Sequence, residues 1–282
     1  MSEEQLRIEI QRNVAAALAE DVGAGDLTAL LVPENARASA TVITRENAVV
    51  CGTAWFDATF AALTPEATVR WLVQDGDAVT AGQALCDVQA PARALLTAER
   101  TALNFLQLLS AVATATRRYV DAVAGTDARI VDTRKTLPGL RLAQKYAVTV
   151  GGGLNHRTGL YDGILVKENH IIAAGGVAEA VEAAHELAPQ GVFVEIEVEN
   201  LAELQTALDA GATMILLDNM SLAELRAAVD LTDGRAVLEA SGGVNLHTVR
   251  AIAETGVDRI SVGGITKDVK ALDLSLRLVE ND

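Results

Sequence analysis

The sequence predicts an α/β protein in which a parallel βα barrel of about six to seven strands follows a smaller N-terminal α+β domain. Half of the residues are hydrophobic but only 3% are aromatic, so small aliphatic side chains must fill the core, as in stacked helices and parallel strands. After Thr126, short apolar runs alternate with helical patterns, as in repeated βα units. Polar residues follow nearly every one of these runs. A parallel sheet with outer helices is therefore expected, either closed as a barrel or open and doubly wound.

The N-terminal part combines a helix with short β-like runs. Apolar residues recur at helical spacing between Gln5 and Glu20, and β-like runs follow at 38–44, 48–51 and 68–73. A long helical stretch over 94–123 ends this part. We therefore predict an N-terminal domain over 1–112 and a catalytic barrel over 113–267, with a C-terminal helix over 268–282 that could pack back on the first domain.

Six strands are predicted in the second part of the chain. They cover 128–132, 163–167, 192–197, 214–218, 236–240 and 259–262, with helices between them. Polar residues fall at the carboxyl ends of these strands, which in a βα barrel form one face where catalysis is found. They are Thr133, Arg134 and Lys135, then Lys167, Glu197, Asp218, Ser241–Gly243 and Gly263–Gly264.

Composition excludes several classes of partner. There are 23 Lys and Arg against 38 Asp and Glu, a net charge of −15, which repels nucleic acid and anionic membranes. No apolar run approaches the roughly 18 residues of a membrane span, and the acidic first residues do not resemble a signal peptide. Cys51 and Cys86 have neither zinc-site nor disulfide-framework spacing. We expect a cytoplasmic protein that binds small molecules.

The late and early strand ends predict different halves of an anion site. The late loops are glycine-rich, at 241–244 and 263–265, so their backbone N–H groups can approach a phosphate. Cationic side chains, which bind carboxylates and phosphates, follow the first strands of the predicted barrel. These cations are Arg134, Lys135, His156, Arg157 and Lys167.

Two acids, Glu197 and Asp218, end apolar runs where an isolated ionised carboxylate would be costly. One interpretation is simple ion pairing with the nearby cations. The other is that they hold sugar hydroxyls or a hydrated Mg²⁺ and stabilise a developing positive charge.

Several motifs in order along the chain resemble the quinolinate phosphoribosyltransferase family. They are DTRKTLPGLR at 132–141, GGGLNHR at 151–157, LVKENH at 165–170, EIEVE at 195–199, LDN at 217–219 and SVGG at 261–264, with EDVGAGDLT at 20–28 and AERTALNF at 98–105. The resemblance covers almost the whole chain.

The resemblance implies transfer of ribose 5-phosphate from phosphoribosyl pyrophosphate to quinolinate. The products would be nicotinate mononucleotide, pyrophosphate and carbon dioxide, a step of NAD biosynthesis that uses Mg²⁺. It also implies a homodimer or a multiple of dimers, in which Arg100 of one subunit reaches its partner's site.

The resemblance also implies a role for each site residue. Arg134, His156, Arg157 and Lys167, with the partner's Arg100, would grip the pyridine dicarboxylate, and Thr133 would also bind substrate. Lys135 would lie near the pyrophosphate. Glu197 and Asp218 would lie beside the ribose and the metal, which they would hold through water or substrate. Ser241, Gly242, Gly243, Val244, Gly263, Gly264 and Ile265 would surround the 5-phosphate. The catalytic residues would then be Lys135, Lys167, Glu197 and Asp218.

Two alternatives remain open. A phosphoribosyltransferase with the same scaffold could act on another acceptor, such as nicotinate. A barrel of this kind could also serve as a non-catalytic binding module, although retention of every charged motif residue argues against it.

Overall fold

The computed structural model describes residues 2–279 and divides them into two compact units. The first contains residues up to Arg117, together with 137–152 and the C-terminal segment from Asp268. The second contains 118–136 and 153–267. The predicted boundary at 112/113 thus differs from the observed one, and the helix of 141–150 belongs to the first unit. Sequence periodicity could not show this, because it reports an element and not the unit on which that element packs.

The first unit combines antiparallel strands with four α-helices, of which α3 is the longest. Its elements are α1 (Glu3–Asp21), β1 (Arg37–Thr44), β2 (Ala48–Val49), α2 (Thr53–Leu63), β3 (Thr68–Trp71), β4 (Ala78–Val79), β5 (Ala84–Pro91), α3 (Ala92–Ala122), α4 (Arg141–Val150) and β12 (Leu274–Val279). From Arg118 onward α3 belongs to the second unit. Its largest sheet has the order β12-β1-β5-β3, and its core includes the fully buried Phe56, Leu95 and Leu106.

The predicted C-terminal helix is wrong. Residues 274–279 form β12, which pairs antiparallel with β1, from Thr44 opposite Leu274 to Ser39 opposite Val279. The segment alternates Leu with Ser or Arg at a period of two, which suits a strand. It also satisfies the hydrogen-bonding groups along one edge of β1, which would otherwise be an open sheet edge. The end of the predicted helix, 280–282, lies outside the described residues.

The second unit confirms the predicted α/β class. Its elements are β6 (Arg129–Val131), β7 (Gly163–Val166), α5 (Glu168–Ala174), α6 (Val177–Leu187), β8 (Phe193–Val198), α7 (Leu201–Asp209), β9 (Met214–Asp218), α8 (Leu222–Thr232), β10 (Val237–Ser241), α9 (Val249–Ala253), β11 (Arg259–Ser261) and α10 (Gly264–Lys267). The six strands form one sheet in the order β6-β11-β10-β9-β8-β7, and all pairings are parallel.

The sheet is extended beyond β6 by one residue. Leu154 forms a single parallel bridge with Val131, in which the N–H of Asp132 donates to Leu154 O at 3.0 Å. Among residues 2–279, no ladder joins β6 directly to β7. The second unit thus has six full strands and this one-residue bridge among the described residues.

None of the helices formed by residues 2–279 is both long and apolar enough to cross a membrane. Both cysteines are buried and unbridged.

Candidate active site

The strands of the second unit all end on the same side of the sheet, so their terminal residues become neighbours. Val131 lies opposite Ser261, and Asp218 lies opposite Ser241. These register pairs bring residues that are far apart in the chain to one edge, as expected for parallel strands. The strand-end residues predicted from the sequence therefore lie on a common face.

Lys135 lies against the glycine loop that follows β11. A Cβ atom added to Gly263 would come within 2.9 Å of Lys135 Cδ and 3.5 Å of Thr133 Oγ1. The Thr266 hydroxyl donates to Lys135 O at 2.8 Å, and the Lys135 N–H donates to Thr133 Oγ1 at 3.1 Å. Gly263 thus leaves space for the lysine stem, and the structure joins an early cation to a late glycine loop.

Lys167, Glu197 and Asp218 form the charged centre of the face. Lys167 Nζ donates to Glu197 Oε2 at 2.6 Å, so part of the predicted ion pairing is present. Burial and the nearby Glu197 raise the pKa of Asp218, whereas Lys167, Asn219 and Lys135 lower it. Glu197, Lys167 and Lys135 thus all lie close enough to Asp218 to act on its charge. The one direct ion pair among these four groups, all within the described chain, joins Lys167 to Glu197.

Two acids contact His156, namely Asp132, which follows β6, and Glu195, which lies within β8. Asp132, fully buried after β6, accepts from the His156 N–H at 2.8 Å and from Asn155 Nδ2 at 2.7 Å. His156 Nε2 lies 2.6 Å from Glu195 Oε2, and the Arg157 N–H donates to His156 Nδ1 at 2.7 Å. Both ring nitrogens thus have partners within the protein. Direct binding of a ligand by the His156 ring would require one of these bonds to break.

The guanidinium of Arg157 is partly buried beside another cation. Its Nη1 donates to Gly163 O at 3.1 Å. Burial and Arg134 lower the pKa of Arg157, whereas Glu195 and Asp162 raise it. Arg134 and Arg157 together create a local positive field that would favour an anionic ligand.

The predictions from the sequence missed two buried acids, Glu195 and Glu239. Both have no exposed surface, and Glu195 Oε1 and both carboxylate oxygens of Glu239 have no hydrogen-bond partner among the described residues. Burial and Glu195 raise the pKa of Glu239 to about 7, while His156, the Ser261 hydroxyl and Arg259 lower it. The geometry of Ser261 falls short of a regular hydrogen bond to Glu239. Each acid interrupts an apolar strand, and this pattern is the signal that could have revealed them.

The loop after β10 is shaped by a close approach of Asn219. Gly242 has φ +101°, and an added Cβ would lie 2.1 Å from Asn219 Oδ1. Asn219 itself has φ +54°, and its N–H donates to Ser241 O at 2.9 Å. Gly243, at φ +59°, has open space around it. The loop exposes Gly242 and Gly243, so their backbone is accessible to a ligand.

The remaining predicted site residues fall in three places. Val244 is partly exposed in the loop after β10, and in the short helix α10 Gly264 is partly exposed while Ile265 is buried. Arg100 is exposed on α3, in the first unit. The other predicted residues all belong to the second unit.

Comparison with known proteins identifies the family. The family model described as quinolinate phosphoribosyl transferase, C-terminal domain, matches residues 112–277, and the corresponding N-terminal domain model matches 26–110. A probable nicotinate-nucleotide pyrophosphorylase [carboxylating] of Bacillus subtilis is 40% identical over 257 residues, covering 91% of this chain and 89% of the relative. A nicotinate-nucleotide pyrophosphorylase [carboxylating] of Mycobacterium leprae is 49% identical over 213 residues, covering 74% of this chain and 75% of the relative.

Solved structures agree with this assignment. The nicotinate-nucleotide pyrophosphorylase of Francisella tularensis is 45% identical, with a TM-score of 0.93 over 96% of each chain. NadC of Streptococcus pyogenes is 38% identical, with a TM-score of 0.94 over 100% of this chain and 99% of that one. The protein described here therefore belongs to the quinolinate phosphoribosyltransferase family.

Proposed function

We propose that the protein transfers ribose 5-phosphate from phosphoribosyl pyrophosphate to quinolinate and releases pyrophosphate and carbon dioxide, leaving nicotinate mononucleotide. The observation that carries the proposal is the charged centre, where the Lys167–Glu197 pair and Asp218 lie among the cations of the early strand ends. A protein of net charge −15 needs such a concentrated local field to bind two anionic substrates. Surface charges farther away than ~10 Å are screened at ordinary ionic strength.

The acceptor is assigned to the early strand ends. Arg134 and Arg157 suit the two carboxylates of quinolinate, because a guanidinium matches a carboxylate in a bidentate pair. Lys167 adds a movable charge, whereas Thr133 lies beside Lys135 and Gly263. His156 was also predicted to bind the acceptor. Because both nitrogens of its ring already have partners, in Glu195 and the backbone of Arg157, we propose that it orients Arg157 instead.

The donor is assigned to the late strand ends. Backbone N–H groups of 241–244 and 263–265 would receive the 5-phosphate, and Lys135, which lies against Gly263, would neutralise the pyrophosphate. Glu197 and Asp218 would face the ribose between the two halves. Breaking the bond at the anomeric carbon gives oxocarbenium character, which adjacent carboxylates stabilise.

The carboxylate oxygens of Glu197 and Asp218 suit a magnesium ion, but they supply only some of the ligands that the ion needs. Glu197 and Asp218 supply hard oxygen ligands, and burial, followed by the nearby Glu197, raises the pKa of Asp218. Lys167 already binds one oxygen of Glu197, so we propose that the two acids hold Mg²⁺ through water or substrate oxygens. When bound, the ion would neutralise the charge of the pyrophosphate leaving group.

Decarboxylation would follow ribosyl transfer. Once the ring nitrogen has formed its bond to the ribose, the pyridinium can accept the electron pair left when the bond between the ring and the adjacent carboxylate breaks. A proton then replaces carbon dioxide on the ring carbon. Isolation of a nucleotide that retains both carboxylates would support this order, and formation of free nicotinate before any ribosyl transfer would contradict it.

The direct test is an assay of the pure protein with Mg²⁺, phosphoribosyl pyrophosphate and either quinolinate or nicotinate. We expect nicotinate mononucleotide and pyrophosphate with quinolinate, and loss of activity when a chelator removes the metal. Absence of product with quinolinate would refute the proposal. Product with nicotinate alone would establish the alternative acceptor, and binding of both ligands without turnover would establish a binding module.

We also propose a homodimer or a multiple of dimers in which Arg100 completes the partner's site. The exposure of Arg100 on α3 supports this, since an arginine on the outside of its own unit is available to another chain. Inactive Arg100→Ala and Lys167→Ala subunits should regain activity when mixed, because a hybrid dimer would contain one intact site. No recovery in hybrids shown to form by light scattering would argue against shared sites. A cytoplasmic location remains the prediction from the sequence, and cell fractionation tests it.

A further inference from the structure

The hydrogen bonds around His156 determine where its proton lies. Nδ1 accepts the backbone N–H of Arg157 at 2.7 Å, so this nitrogen carries no proton while that bond exists. A neutral ring must then hold its proton on Nε2, which lies 2.6 Å from Glu195 Oε2. This assignment follows from the identity of the partners, as tautomers in protein structures must. Nε2 is therefore the donor and Glu195 the acceptor.

The same geometry argues against a metal ion at this position. His156, Glu195 and Glu239 place possible ligand atoms within 4.8 Å of one another. A histidine ligand needs a nitrogen without a proton and with a free lone pair. Nε2 bears the proton, and the lone pair of Nδ1 is used by Arg157. The cluster is better explained as a support for the histidine.

Burial makes this support rigid. Glu195 has no exposed surface, and the His156 side chain is only 7% exposed. The ring also packs edge-on against Phe193 at a centroid distance of 5.3 Å. A hydrogen bond to a charged group in such surroundings contributes more than one in water. Loss of Glu195 would leave a buried ring N–H without its acceptor.

The chain of contacts ends at Arg157. Its backbone N–H is fixed by the imidazole, and its guanidinium donates to Gly163 O. A shift of the ring would therefore move the backbone from which the guanidinium extends. Small displacements of a group that binds substrate have large effects on substrate use.

We propose that Glu195 is a positioning residue that holds His156 as the neutral Nε2–H tautomer, through which His156 fixes Arg157 for one carboxylate of the acceptor. The inference rests on the proposed function for its last step, the role of Arg157. His156 accordingly orients Arg157 through the hydrogen bonds of its ring. This differs from its predicted place among the ligand-binding cations.

The first test observes the tautomer without substrate. In ¹⁵N-labelled protein at about neutral pH, long-range ¹H–¹⁵N spectra distinguish the protonated and unprotonated ring nitrogens, and His156→Gln identifies the signals among the four histidines. We expect one protonated nitrogen, Nε2, and an unprotonated Nδ1. A doubly protonated ring, or a proton on Nδ1, would overturn the proposal whether or not the protein uses quinolinate.

The second test compares two replacements of similar size. Glu195→Gln retains an oxygen that accepts from Nε2–H, and its amide can donate to the unpartnered oxygens of Glu239, which lie nearby. Glu195→Leu removes the acceptor. We expect Glu195→Leu to mix the tautomers and to raise the KM for quinolinate by about ten- to a hundredfold, with the donor KM changed by less than about twofold.

Glu195→Gln should keep the single tautomer and a KM for quinolinate close to that of the wild type. If Glu195→Leu keeps both the tautomer and the KM, or if both KM values rise together in the folded variant, the positioning role is wrong. If the wild type shows the expected tautomer but no activity with quinolinate, the proposed function fails while the support by Glu195 stands. Should Glu195→Leu fail to fold, the wild-type spectrum still decides the tautomer.

Discussion

At the ends of β6, β7 and β8 the groups available to a ligand are charged side chains, whereas at the ends of β10 and β11 they are largely glycine backbone. The charged half is held by side-chain contacts such as Lys167–Glu197 and Glu195–His156. The glycine half is shaped by close approaches, of Asn219 to Gly242 and of Lys135 to Gly263. Side-chain recognition requires a rigid support behind each group, whereas backbone recognition requires that no Cβ occupy the space. We expect the two halves to respond differently to substitution.

The largest effect is expected at the charged centre between the halves. Lys167→Ala should lower kcat/KM by about 10²–10³-fold, since it removes a positioned charge and leaves Glu197 and Asp218 to repel each other. Steady-state kinetics with each substrate varied would measure this, and circular dichroism would verify the fold. Lys270→Ala, at an exposed residue of the first unit, is the matched control and should be silent. A Lys167→Ala enzyme within a few-fold of wild type would exclude Lys167 from the site.

The second prediction concerns the buried residue Glu239 on β10, whose carboxyl group lies near that of Glu195. The pKa of Glu239 is raised in the folded protein, so the folded state binds a proton that the unfolded state releases between 4.5 and about 7. The contribution of Glu239 to stability is thus complete below 4.5 and is lost as the pH rises to about 7. The shift corresponds to roughly 3 kcal/mol.

Glu239→Gln should remove this part of the pH dependence. Denaturant unfolding at several pH values, for both proteins, would show a smaller decrease in the free energy of unfolding for the variant as pH rises. Any constant cost of the buried amide cancels in this comparison. Equal slopes in the two proteins would show that Glu239 does not titrate in this range.

The third prediction separates the halves by substrate. Arg157→Ala should raise the KM for quinolinate by about 10- to 100-fold with little change in the donor KM, because a charged hydrogen bond contributes about 1.5–3 kcal/mol. Lys135→Ala, against the glycine loop, should instead impair use of phosphoribosyl pyrophosphate. Initial rates with each substrate varied would measure both. Equal effects of either variant on the two KM values would contradict the division into an acceptor half and a donor half.

The smallest effect is expected in the glycine half. Gly242→Ala combines φ +101° with a 2.1 Å approach to Asn219 Oδ1, so it should destabilise the loop by about 1–3 kcal/mol and raise the donor KM. Gly243→Asn is the matched control, because φ +59° suits asparagine and the space is open. Thermal unfolding and donor kinetics would measure both variants. A Gly243→Asn protein as impaired as Gly242→Ala would show that the close approach to Asn219 is not the cause.

The sequence predicted the second unit well because its elements carry strong local signals. The strands at 163–167 and 214–218 are apolar runs followed by polar residues, and the structure has them at Gly163–Val166 and Met214–Asp218. The last segment was predicted as a helix, although its leucines at 274, 276 and 278 alternate at the period of a strand. Its pairing with β1 is a long-range contact that no local pattern encodes.

By itself, the sequence determined the α/β class, the family, and the set of charged and glycine residues at the strand ends, because strand order along the chain and residue type suffice for these. Only the tertiary structure decided which residues of the site contact one another. It placed Glu195 behind His156, Asn219 beside Gly242 and Lys135 against Gly263. Each of these contacts joins residues that are distant in the chain, and their distances depend on strand register and burial. For that reason the sequence placed His156 among the ligand-binding cations by residue type, whereas only the structure shows its contacts with Glu195 and Arg157.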